Sequence, residues 1–92
     1  MAYLIKATDE VSEVFPANGR KFTLAELQSL VGGYIEIVRI GRGEVLVLNE
    51  DGLRLELPTN ERATEIADRA GVLMFVTGIM GNAVRCADRD IE

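Results

Sequence analysis

The sequence predicts an α+β fold: a mostly antiparallel, four- to five-stranded sheet with two short helices packed on one face. Three observations carry that expectation. Residues 30–57 hold a helix end, a double glycine and three apolar runs joined by two tight turns. Thr23 opens a segment with a complete helix-start signature. After Asn60, small apolar residues recur at helical spacing.

Taken in order, residues 2–7 read as a strand, with Tyr3 and Ile5 on one face and Leu4 on the other. Residues 8–12 are turn-like, and Val14 and Phe15 form a brief extended segment that Pro16 confines to an edge. Residues 16–19, Pro-Ala-Asn-Gly, form a turn. Thr23 and Glu26 make a capping box, and Phe22 staples onto Leu27. Leu24, Leu27, Leu30 and Val31 form the buried stripe, and Gly32 supplies the left-handed cap. Residues 34–40, apolar except for Glu36 and Arg39, read as a central strand covered on both sides. Residues 44–49 are a second apolar run, and Asp51-Gly52 signals a hairpin into a third strand, where Leu53, Leu55 and Leu57 alternate with Arg54 and Glu56. Pro58 stops that meander and Asn60 caps the second helix, whose narrow buried face is Ala63, Ile66, Ala67 and Ala70. Residues 72–76 read as a short extended segment and residues 83–87 as a last strand. One domain spans residues 1–92, with its core in 2–87 and a frayed tail over 88–92.

With 48% hydrophobic residues in 92, the chain can bury a core. Its net charge of -5 argues against a DNA or RNA partner. There is no histidine and a single cysteine, Cys86. That combination excludes an internal disulfide, disfavours a metal site and removes the usual general base. The apolar run over 72–80 falls short of the ~20 residues needed to span a bilayer. The N-terminus lacks signal-peptide character, so no membrane association and a cytoplasmic location are expected.

Candidate binding residues follow from position. Glu36 is a carboxylate inside an apolar strand, so it is exposed, ion-paired or set in a cavity. Asn49 and Glu50 belong to a turn that explains them structurally, and they also stand where a ligand could be met. Asn60 is a helix cap by its spacing. With Arg62 one turn further on, the helix N-terminus offers a phosphate site. Asn82, beside the closing glycine, completes the ligand-binding set. Met74, Phe75, Ile79 and Met80 divide between core and an interface with a second copy. Cys86 reads as a buried small hydrophobe. Neither Gly32-Gly33 nor Gly41-Arg42-Gly43 is a phosphate loop.

The run PANGRKFTLAELQSLVGGYIEIV, then VLVLNEDG, LPTNERAT and the tail IMGNAVRCA, resembles a family of small bacterial, plasmid and phage proteins of unknown function, DUF3846. The family has no catalytic residues to carry over. By class analogy, such proteins bind and neutralise host components. The expectation is a non-enzymatic, homo-oligomeric binding protein without cofactor. It would sequester a small anionic nucleotide signal, of cyclic ADP-ribose or cyclic oligonucleotide type, and so counter host defence. The alternative is an acidic protein-interaction module that inhibits or mimics a host protein.

Overall fold

The computed structural model describes residues 1–72 and 78–92. Five strands form one sheet: β1 (Ala2–Ile5), β2 (Val11–Val14), β3 (Ile35–Gly41), β4 (Glu44–Asn49) and β5 (Ala83–Ala87). Their spatial order is β2-β1-β5-β4-β3, and every pairing is antiparallel. Two helices, α1 (Leu24–Val31) and α2 (Glu61–Arg69), complete the α+β architecture. Among the described residues, no helix is long and apolar enough to cross a membrane.

Strand alternation splits the core in two. Val45 and Val47 of β4, Val84 and Cys86 of β5, and Ala2 and Leu4 of β1 pack with Leu27 and Val31 of α1. The intervening residues, Leu46, Leu48 and Ala83, pack with Ala63 and Ala67 of α2. Since side chains two apart share a face, the helices lie on opposite faces rather than on one. The run 45–48 of β4 is apolar on both faces, and such a run needs a cover on both sides.

Both helix starts form as expected. Thr23 Oγ1 accepts the Glu26 N–H at 3.2 Å, and Glu26 Oε1 accepts the Thr23 N–H at 2.9 Å. Gly32 closes α1 at φ 83, where its N–H reaches the Gln28 carbonyl. Phe22 and Leu27 are buried, but Leu24 faces solvent, because the helix rests on the sheet only through the flank carrying Leu27 and Val31.

Asn60 does more than cap. Its Oδ1 accepts the Ala63 N–H, while Nδ2 donates to the carbonyls of Ile5 and Gly81, both at 2.9 Å. The amide thus joins β1, α2 and the segment entering β5.

Four further expectations are corrected. Residues 34–40 do not make the central strand: β3 is an edge, and β5 takes the middle of the sheet. Residues 53–57 form no strand either. Asn49 Oδ1 accepts the Asp51 N–H, and Leu55 and Leu57 donate to Asp51 and Gly52, so the backbone is satisfied locally. The side of β4 that residues 53–57 would have used is paired with β5 instead. Gly52 serves a close approach, since a Cβ there would stand 2.6 Å from the Met80 carbonyl oxygen. The polar segment after residue 8 contributes Val11 and Ser12 to β2, which pairs with β1 along its length. Finally, the C-terminal residues are fastened rather than frayed. Asp88–Asp90 form a 3₁₀ turn, Phe22 N–H donates to Asp90, and Glu92 N–H donates to Phe22.

Replacing Asn60 by alanine removes a cap and deprives two carbonyls of their donor. We expect a loss of roughly 2–4 kcal/mol of unfolding free energy, against about 1 kcal/mol for Thr23→Ala, which removes a cap alone. Urea titration measures both. Equal losses would reduce Asn60 to an ordinary cap.

Candidate functional site

The sequence-selected residues fall into separate places. Glu36, Asn49 and Glu50 come together, with Leu48, Gly52, Leu53, Gly78, Ile79 and Met80, around a cleft of about 50 Å³. Glu36 stands opposite Leu48 on the α2 face of the edge strand and is half-buried. Asn49 is buried, and its Nδ2 donates to the Val31 carbonyl at the end of α1. Ligand pockets usually measure roughly 300–1,000 Å³. This cleft is therefore too small for a nucleotide.

Asn60 is fully buried with both amide hydrogens committed, so it offers a ligand nothing. Asn82 accepts the Ala7 N–H at 3.2 Å. Arg62 donates to Asp9 at 2.9 Å. The α2 N-terminus opens on a polar groove of about 580 Å³, but Asp9, Glu61 and Glu65 line it, which opposes a phosphate there. Ile79 belongs to the core against Ala63 and Ala67. Met80 is half-buried, and its sulfur accepts the Thr59 hydroxyl. Met74 and Phe75 lie outside the described residues.

A better-proportioned site adjoins that groove. On the α2 face, Tyr3 and Ile5 of β1, Val11 of β2 and Arg85 of β5 form the floor of a cleft of about 360 Å³. Its wall is one flank of α2, where Arg62, Glu65, Ile66 and Arg69 recur at helical spacing. Register builds the floor: Tyr3 stands opposite Arg85, and Ile5 opposite Val11. The helix is only nine residues long, so it leaves this part of the sheet open.

Each cleft arginine has a carboxylate partner. Arg85 Nε and Nη2 donate to the two oxygens of Glu44 at 2.9 and 3.1 Å. Arg69 pairs with Glu65 one turn back on the helix, and Arg62 with Asp9. Glu44 is held below the usual carboxylate range by the Arg85 hydrogen bonds, which in turn raise Arg85. Glu26 is lowered by the N–H groups of Thr23 and Ala17. Burial pushes the Cys86 thiol up to about 11, which leaves it protonated and inert near neutrality.

Sequence reasoning selected only Arg62 of the cleft set. Arg85 carried the same signal as Glu36, a charge inside an apolar strand. The Arg62-Glu65-Ile66-Arg69 stripe was legible beside the alanines as a second helical face.

The architecture defines a class: a small α+β protein with a five-stranded antiparallel sheet and an arginine-lined cleft on one face. The chain belongs to the domain-of-unknown-function family DUF3846, whose model matches residues 2–92. No curated protein and no solved structure matches it.

Because Glu44 and Glu26 titrate below 4.5 in the folded state, the unfolded chain binds more protons than the folded one as acid is added. Their stabilisation is fully present above about pH 4.5 and is lost as pH falls through their lowered values. Glu44→Gln should flatten the acid fall in melting temperature, by a modest amount because the Arg85 pair is half-exposed. An unchanged slope would remove Glu44 from the acid response. Cys86 should react with thiol reagents only once the chain unfolds.

Proposed function

We propose that this protein is a non-enzymatic binding protein for a small anionic ligand of nucleotide type, held in the cleft between α2 and strands β1, β2 and β5. The supporting observation is the cleft's composition: three arginines around a floor that presents the Tyr3 ring and two aliphatic side chains. Guanidinium groups match phosphate oxygens in a planar fork, and an aromatic ring offers a stacking surface for a base. The existing ion pairs do not bar entry. Half-exposed pairs contribute about 0–1 kcal/mol, so a phosphate can displace Glu65 from Arg69 at small cost. The cleft shares Arg62 and Glu65 with the larger groove at the α2 N-terminus, whose carboxylates confine the phosphates to the arginine side. A messenger of cyclic ADP-ribose or cyclic oligonucleotide type fits this description. Holding it intact would counter the host defence that releases it.

A second reading has its own support. At the other end of the molecule, Tyr34, Leu53 and Leu55 are 68%, 55% and 47% exposed beside Glu50, Asp51 and Glu56. An apolar patch rimmed by carboxylates suits an acidic protein-interaction module that engages a host protein.

Native mass spectrometry with a panel of cyclic nucleotides and ADP-ribose derivatives separates the two. We expect a complex that releases unaltered nucleotide on denaturation, and at least tenfold weaker binding for Arg69→Ala with Glu50→Ala unchanged. A chemically altered product would make the protein an enzyme. Indifference to the whole panel, with capture of a host protein that Leu53→Ser abolishes, would favour the interaction module.

A further inference from the structure

We propose that β3 is an association edge, along which two copies of this chain pair antiparallel about a two-fold axis through Ile37. The sheet ends in two edges, and they are built differently. β2 has four residues, includes Ser12 and Glu13, and is followed closely by Pro16. Short polar edges with a nearby proline resist pairing. β3 has seven residues, Ile35, Ile37, Val38 and Ile40 among them, with neither proline nor lysine. Among the described residues, no strand pairs with its outer side.

The hydrogen-bond phase shows which groups face outward. Glu50 N–H donates to the Tyr34 carbonyl at 2.8 Å, so residues 34 and 50 form a hydrogen-bonded pair. Antiparallel alternation then turns the backbone of Glu36 and Val38 toward β4 and that of Ile35, Ile37 and Arg39 away from it. These three outward residues are centred on Ile37.

Self-pairing about that centre is chemically consistent. Ile37 meets Ile37 of the second copy, Ile35 meets the aliphatic stem of Arg39, and Glu36 meets Val38. Tyr34 of one copy comes beside Ile40 of the other, an aromatic–β-branched pair. No like charges stand opposite one another. Centring on Glu36 would oppose two carboxylates. Centring on Val38 would bring the irregularity between Arg39 and Gly41 one pair closer to the axis. Tyr34 and Ile37, 68% and 49% exposed in the single chain, are the side chains this register covers. The occupant is therefore a second copy, and a two-fold pairing closes on itself without leading to fibres. Each protomer keeps its α2-face cleft, which opens between α2 and the β1–β2 side of the sheet, far from this axis in strand order.

Sedimentation equilibrium at micromolar concentration tests the pairing in two variants, and oxidative cross-linking tests it in two more. Ile37→Lys sets two ammonium groups against each other on the axis. Ile37→Pro deletes an outward N–H while leaving the β4 ladder its donors. Both are expected to be monomers with the far-ultraviolet spectrum of the wild-type dimer. Where the proline variant does not fold, the lysine variant decides. Ile37→Cys should form a covalent dimer on mild oxidation, since a hydrogen-bonded pair sets Cα atoms about 5.5 Å apart, within disulfide reach. Arg39→Cys, which faces Ile35 of the other copy, should not. A monomeric wild-type protein, a lysine variant that remains dimeric, or equal cross-linking at both positions would overturn the proposal. None of these outcomes depends on nucleotide binding.

Discussion

The Asn60 carboxamide is the contact on which this fold turns. With four polar positions to satisfy and no exposure to solvent, the side chain can stay buried only if several backbone segments come to it. The carbonyl of Ile5, the carbonyl of Gly81 and the N–H of Ala63 do so. Thr64 extends the arrangement: its hydroxyl donates to the Asn60 carbonyl and accepts the Ile79 N–H. The buried face of α2 is mostly alanine, which buries little area per residue. Directional bonds therefore set the position of α2, where α1 relies on Phe22, Leu27 and Val31.

That division of labour produces the cleft. A helix anchored at its N-terminus, nine residues long and narrow at its buried face, cannot cover five strands. The side chains beyond its reach, Tyr3, Val11 and Arg85, are left beside its arginine flank. On the opposite face, α1 and the C-terminal strap through Phe22, Asp90 and Glu92 enclose the other half of the core. The α1 face is thus the more fully covered, although a groove of about 410 Å³ remains there between β2 and α1, and the α2 face carries the mixed charges suited to a polar ligand.

Local chemistry was legible wherever the sequence states it completely. The capping box at Thr23, the left-handed cap at Gly32, the cap at Asn60 and the strand over residues 83–87 all depend on neighbours within a few positions. The errors came from partnerships. Leu53, Leu55 and Leu57 alternate like a strand, yet a strand needs an unpaired neighbour, and β5 already holds that side of β4. Asp51-Gly52 resembles a hairpin turn, but its glycine answers the approach of the Met80 carbonyl. In the candidate site, Arg62 was visible because it follows a cap. Arg69 and Arg85 carried local signals too, a helical stripe and a charge inside an apolar strand, but nothing local says that they and Tyr3 share one cleft.

The sequence by itself determined the α+β class, the starts of both helices and the stop of the first, and an apolar pattern rich enough for a two-sided core. Periodicity and capping are properties of adjacent residues, so they survive without knowledge of the rest of the chain. Tertiary structure decided strand order, the placement of the helices on opposite faces, which of two apolar runs became an edge, and where the open cleft lies. Those outcomes depend on competition between distant segments for the same hydrogen-bonding edge and the same apolar face, and only the folded chain settles that competition.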